Sequence, residues 1–186
     1  MDSAVQGDAL PVLWLCGPPG VGKTAVAWEL YAQFTRARTE VGFVDIDQLG
    51  ICYPEPAADP GRHRMKARNL DAVAAGFLAA GARCLIVSGV VDPAHGVPTD
   101  SIPRASVSVC RLRADREELR RRFIGRGGEV QSVEDALREA DALDASDVAD
   151  TCVDTSGIPV SEVARLVMDR TGGWPAPARR APTRTP

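Results

Sequence analysis

The sequence predicts an α/β fold: a five-stranded parallel sheet with helices on both faces. Two observations carry that expectation. Short apolar runs alternate along the chain with segments of helical pattern, the order that builds strand–helix–strand units. Residues 17–24 read Gly-Pro-Pro-Gly-Val-Gly-Lys-Thr, a complete G-x-x-x-x-G-K-[ST] loop, and it falls between the first apolar run and the first helical segment. Bulk composition agrees. A chain of 186 residues, 45% hydrophobic and 25% charged, suits one globular domain with a substantial core.

The elements follow in order. Residues 12–16, Val-Leu-Trp-Leu-Cys, are expected as a buried strand, and 25–34 as the helix after the loop. A second strand is expected over 41–46, then a Pro-rich loop over 52–61 and a helix over about 64–80 that Gly81 ends as a left-handed cap. The third strand, 84–91, is continuous and β-branched; a loop with Pro93, Pro98 and Pro103 leads to the fourth, 106–112. Asp115 and Glu118 make a D-x-x-E box that opens an Arg-rich helix to about Ile124, which Gly125-Arg126-Gly127-Gly128 breaks. Ser132 and Asp135 open a further helix to about Leu143; residues 152–154 are a short fifth strand and 159–170 a last helix. Residues 1–173 form the domain, and the Pro/Arg/Ala-rich stretch 174–186 reads as a disordered tail. Trp14 and Trp28 are expected in the core.

Several function classes recede. A net charge of −3 argues against a nucleic-acid partner. No apolar run approaches the roughly 20 residues that span a bilayer, and the first ten residues lack the basic and apolar regions of a secretion signal. The five cysteines, Cys16, Cys52, Cys84, Cys110 and Cys152, contain no C-x-x-C pair, and four lie in or beside strands as small hydrophobes. Neither zinc nor disulfides are expected of them, which points to the reducing cytoplasm.

The loop motif has a mechanism. Its glycines let backbone N–H groups curl round a triphosphate, and the helix N-terminus adds partial positive charge. Gly17, Pro18, Pro19, Gly20, Val21, Gly22, Lys23, Thr24 and Ala25 would form the nucleotide cradle. Lys23, one of only two lysines with Lys66 among 22 basic residues, would reach the β- and γ-phosphates, and the Thr24 hydroxyl would hold Mg²⁺. Strand alternation brings the carboxyl ends of the strands, with Asp45, Asp47, Gly89, Asp92 and Thr155, to the same edge. A GTPase would carry N-K-x-D, which is absent. A motor ATPase of the AAA+ group would carry an acidic pair at the end of the third strand and a helical lid domain. Here the strand ends Val87-Ser88-Gly89 and the chain leaves no room for that domain, although the Gly17-Pro18-Pro19-Gly20 opening is common in that group.

From about residue 10 to 170 the chain resembles the small P-loop kinases: nucleoside-monophosphate kinases, shikimate kinase, gluconate kinase and chloramphenicol phosphotransferase. The loop carries most of the likeness. Val44-Asp45-Ile46-Asp47 is similar to the Asp-x-Asp of shikimate kinase, the arginines of 116–126 to these kinases' mobile lid, and Asp154-Thr155-Ser156-Gly157 to their adenine loop. The resemblance implies a three-layer P-loop kinase fold with a short Arg-rich lid over about 115–130, ATP and Mg²⁺ as cofactors, and a small-molecule acceptor. Side chains alternate with period two, so Asp45 and Asp47 are expected on one strand face; Asp45 would then bind Mg²⁺ through water and Asp47 would take the proton of an acceptor hydroxyl. Each also reads as an ordinary turn or cap aspartate past a strand. Arg122 and Arg126 are four apart and share a helical face if the helix reaches that far; with Lys23 they would stabilise the transferring phosphoryl group. Arg116 and Arg120 read instead as a solvated face paired with Glu117 and Glu118. Thr155, Ser156, Gly157 and Pro159, with Arg122, would contact the nucleotide. Arg62, Arg64, Arg68, Gly89 and Asp92 would line the acceptor site, although Arg62 to Arg68 also read as a surface helix start and Asp92 as a turn. His63 is expected to face solvent. A hydroxyl kinase leads, a nucleoside-monophosphate kinase and a nucleotide switch without transfer remain open, and the chain would be a monomer or homodimer.

Overall fold

Leu10–Cys16 is strand β1, and it is central because both of its faces are apolar. Val12, Trp14 and Cys16 point into one core and Leu13 and Leu15 into the other, as a side-chain period of two requires. The computed structural model describes residues 9–98, 102, 104–125 and 130–175. Around β1 stand α1 (Lys23–Arg36), β2 (Val41–Asp45), α2 (His63–Ala79), β3 (Cys84–Ser88), β4 (Ala105–Arg113), α3 (Arg116–Ile124), α4 (Val130–Asp144), β5 (Thr151–Asp154) and α5 (Val160–Arg170). The sheet order is β2-β3-β1-β4-β5 and every described pair is parallel. The chain winds first to one side of β1 and then to the other, so a crevice opens above the carboxyl end of β1.

Two cores result, one on each sheet face. Leu13, Leu15 and Ile86 pack with Val26 and Leu30 of α1, Leu137 of α4 and Val163 and Val167 of α5. Trp14, Leu85 and Val87 pack with Leu70 and Ala74 of α2 on the other face. Each fully buried aliphatic side chain contributes roughly 1.5–3 kcal/mol. The expected three-layer α/β architecture is the one observed.

Element ends differ in instructive ways. α1 begins at Lys23, inside the loop motif, because Gly22 (φ 106°) turns the chain straight into the helix. β3 stops at Ser88, three residues early. α4 begins at Val130, so Ser132 and Asp135 lie within its first turns and Asp135 pairs with Arg138 instead of capping. Asp115 does cap α3, accepting from the Glu118 N–H at 2.7 Å. The reciprocal half of that box is not made: Glu118 turns to Arg121 and Arg122, and the Asp115 N–H donates to Ser156 Oγ. Trp28 is 55% exposed, edge-on to Tyr31 and Phe43, because the face of α1 it occupies runs past the sheet edge. Trp174, assigned by composition to the tail, is 4% exposed and packs against Phe34. Among the described residues no helix is long and apolar enough to cross a membrane.

Candidate active site

The loop 17–22 leaves the carboxyl end of β1 and hands directly into α1. Gly17, Gly20 and Gly22 all have positive φ (144°, 82° and 106°), and a Cβ at Gly17 would collide with the Leu112 carbonyl of β4. Backbone of that kind can aim successive N–H groups into one concavity. Lys23 is 9% exposed, and its ammonium donates to the Gly17 and Pro18 carbonyls at 2.8 and 3.1 Å. Burial holds its pKa below the ordinary lysine value, against the pull of Asp47, Glu139 and Asp45.

Thr24, the second residue of α1, donates its hydroxyl to Asp45 Oδ2 at 3.0 Å across the gap to β2. Ser88, at the end of β3, is in register with both Leu15 and Asp45. Its hydroxyl is fully buried and has no hydrogen-bond partner among the described residues. Thr24, Asp45 and Ser88 therefore offer only oxygen, the donor set that Mg²⁺ prefers, with one oxygen lacking a protein partner. The residues fit the ion.

Asp47 is not on the strand. β2 ends at Asp45, and Asp47 has helical backbone (φ −66°, ψ −31°) at the head of a short 3-10 turn, Gln48–Gly50. The period-two argument that put Asp45 and Asp47 on one strand face therefore fails. A local turn relates them instead, through the Asp47 N–H donating to Asp45 Oδ1 at 3.1 Å. The Asp47 carboxylate accepts from the Val90 N–H at 3.0 Å and pairs with Lys66 of α2 at 3.3 Å. Gly89 lies against this group; a Cβ there would collide with Ile46. Asp47, Gly50, Ile51, Cys52, Tyr53, Arg62 and Lys66 line an open cavity of about 460 Å³. A larger one, about 710 Å³, lies beside Trp28 and Phe77 at the amino ends of β2 and β3, away from the loop.

The arginines expected on the acceptor side divide. Arg62 donates to the Cys52 carbonyl at 3.1 Å and faces Glu55 at 3.8 Å. Arg64 bonds the Ala58 carbonyl and stands 3.9 Å from Asp59. Arg68 lies exposed further along α2, and Asp92 lies past β3, where it meets His95.

α3 packs onto the loop: Phe123 covers Gly20. Arg122 donates to Glu118 at 2.7 Å, to the Val21 carbonyl and Thr155 Oγ1 at 2.9 Å each, and to the Thr155 carbonyl at 2.7 Å. It thus braces the phosphate loop to the loop after β5. Thr155 is 2% exposed, and Ser156 is held by Asp154 and Asp115. Gly157 has φ 67°, and Pro159 precedes the first turn of α5. Arg120 keeps Glu117 at 3.7 Å as the solvated-face reading expects, and it also reaches Glu134 of α4 at 2.7 Å, whereas Arg116 turns from its own helix to Asp141 of α4 at 2.7 Å. Arg126 lies outside the described residues.

Two groups near the site escaped sequence reasoning. Lys66 had no motif to mark it, although its rarity was a signal. Glu139 of α4 is the other. One of its oxygens is buried with no hydrogen-bond partner among the described residues, and burial raises its pKa despite Lys23, with Asp47 and Asp92 pushing the same way. A carboxyl whose pKa is raised on folding contributes stability that is full at acid pH and lost as pH rises through the folded value. Glu139→Gln should therefore match wild type near pH 4 and melt higher at pH 8, by no more than about 4 °C; thermal melts across that range check it. The buried thiols, by contrast, are inert: burial pushes Cys16 up to about 12 and Cys84 and Cys110 up to about 11.

Known structures share this arrangement of strands and loop. The tunicamycin resistance protein of Deinococcus radiodurans is 24% identical with a TM-score of 0.67, over 87% of this chain and 95% of that one. A gluconokinase from Sinorhizobium meliloti is 18% identical with a TM-score of 0.54, over 89% and 94%. Shikimate kinase from Acinetobacter baumannii, solved with shikimate, is 19% identical with a TM-score of 0.52, over 86% and 92%. These likenesses show a P-loop kinase-like fold. No curated protein sequence matches the chain. A family model described as an AAA domain matches residues 13–144, from β1 through the phosphate loop to the end of α4, and the chain belongs to that phosphate-loop family.

Proposed function

We propose that this protein transfers the γ-phosphoryl group of ATP, held with Mg²⁺, to a hydroxyl of a small molecule. The observation that carries this reading is Asp47. Its carboxylate is fixed by Lys66 and the Val90 N–H and lies on the wall of a 460 Å³ cavity. A hydroxyl acceptor needs such a group to take its proton. Loop amides and Lys23 would bind the phosphates, Lys23 exchanging two neutral carbonyls for an anion. Mg²⁺, when bound, neutralises phosphate charge, and Thr24 and Asp45 would hold it with Ser88 beside them.

A phosphate acceptor, as in a nucleoside-monophosphate kinase, is less well supported: Arg62 and Arg64 already answer to backbone carbonyls, Glu55 and Asp59. The walls formed by Ile51 and Tyr53, 82% and 97% exposed, favour an acceptor with an apolar or planar part. The likeness to a tunicamycin resistance protein makes hydroxyl-bearing nucleosides and antibiotics the first acceptors to try. A coupled ADP-release screen against pooled metabolites and such compounds tests the proposal. Acceptor-stimulated release supports it; nucleotide binding with no stimulated release across the panel favours a switch instead.

Arg122 enters this reading as the brace between lid and nucleotide loops. Arg122→Ala removes four hydrogen bonds and should cost about 1–3 kcal/mol of stability. It should also raise the KM for ATP more than it lowers kcat. Steady-state kinetics with varied ATP separate the two, and an unchanged KM removes Arg122 from the nucleotide site.

A further inference from the structure

Three metal-ligating side chains meet where the loop after β3 faces the start of α2. Asp92 and His95 sit on one tight turn: the Ala94 N–H donates to Asp92 Oδ1 at 2.8 Å, and the His95 and Gly96 N–H groups donate to the Asp92 carbonyl at 3.0 and 2.8 Å. His95 Nδ1 lies 2.8 Å from Asp92 Oδ2. His63, the first residue of α2, stacks its ring on that of His95, with centroids 4.9 Å apart and planes 18° from parallel, so one ring must turn out of the stack for both in-plane lone pairs to meet a single ion.

Two left-handed residues lead into His63. Gly61 (φ 72°) and Arg62 (φ 59°) are consecutive left-handed residues, and a non-glycine in that region costs on the order of 1 kcal/mol. A Cβ at Gly61 would stand 2.6 Å from His63 Nε2, so the glycine leaves room for the imidazole. One ligand atom from each of His63, Asp92 and His95 lies within 4.8 Å of the others.

We propose that His63, Asp92 and His95 bind a borderline divalent transition-metal ion, Zn²⁺ foremost, which clasps the start of α2 to the loop after β3. Two imidazoles and one carboxylate suit Zn²⁺ and its neighbours, whereas Mg²⁺ belongs to the all-oxygen group at Thr24. Three protein ligands leave a fourth position for water, in keeping with the exposure of both rings. The clasp would fix two walls of the acceptor side against each other, since Arg62 and Lys66 belong to one segment and Gly89 and Val90 to the other. Its cysteine-free donors explain why cysteine spacing gave no hint of zinc.

The test is calorimetric titration of ZnCl₂ into the whole chain, stripped with EDTA and free of nucleotide. Saturable binding of a single Zn²⁺ is expected. His63→Ala and His95→Ala should each weaken it by more than about tenfold, Cys52→Ser should leave it unchanged, and millimolar Mg²⁺ should not compete. Absence of binding overturns the proposal, as does binding that persists in the folded His63→Ala/His95→Ala double variant. Neither result depends on phosphotransfer, so the metal site and the kinase reading stand or fall separately.

Discussion

Lys23→Ala should lower kcat by roughly 10²–10³ while leaving the fold intact. The ammonium is a buried charge whose only hydrogen-bond acceptors among the described residues are two loop carbonyls. Its pKa is lowered by burial, so the charged form opposes folding at neutral pH, and that cost fades only as pH rises through the lowered folded value. Deleting the charge therefore should not lower the melting temperature at pH 7. Turnover is another matter. The lysine is the one full positive charge within the loop, in a site screened from water, where charge on a transferring phosphoryl group is stabilised most. Lys23→Arg should not rescue it, because a planar guanidinium does not fit the space of an ammonium folded against Gly17 and Pro18. Steady-state kinetics beside a thermal melt give both readouts. A variant that melts normally and phosphorylates normally would remove the loop from the chemistry.

Segments whose chemistry is local were legible in the sequence. The run from β1 through the loop into α1 is one, since motif, apolar strand and helix reinforce each other within 27 residues, Leu10 to Arg36. The parallel sheet follows from alternation alone. What stayed hidden depends on contacts across the chain. Nothing near Lys66 announces that it pairs with Asp47 19 positions away, and nothing near Arg122 announces Val21, 101 positions away. Glu139 looks like any other acidic residue of a surface helix until packing closes over one of its oxygens. Period-two reasoning misplaced Asp47 because the strand ends two residues before it. Composition misjudged Trp174 because it averages over a Pro/Arg/Ala-rich stretch, whereas a single indole buries itself against Phe34.

Asp47→Asn should lower kcat by about 10²–10⁴ with the KM for ATP nearly unchanged. The amide keeps the shape of the carboxylate, and its oxygen still accepts from the Val90 N–H, so the turn 45–50 and the cavity wall persist. What is lost is the lone pair that takes a proton, together with the ion pair to Lys66. That pair is partly exposed, with 38% of the Asp47 side chain accessible, and so contributes little to stability. The same substitution separates the two acceptor chemistries. A hydroxyl nucleophile must give up its proton as the new P–O bond forms, whereas an acceptor phosphate oxygen is already anionic and needs no base. Near-wild-type turnover in Asp47→Asn would therefore exclude Asp47 as the base and move the acceptor to the phosphate class. A collapse of kcat in a variant that binds ATP as before, and whose melt is unchanged, would place proton removal at Asp47. Lys66→Met sharpens the assignment. If the ammonium only positions the carboxylate, the methionine variant should retain more activity than Asp47→Asn and regain part of the remainder as pH rises, because a looser carboxylate still accepts a proton once the acceptor hydroxyl is more readily ionised.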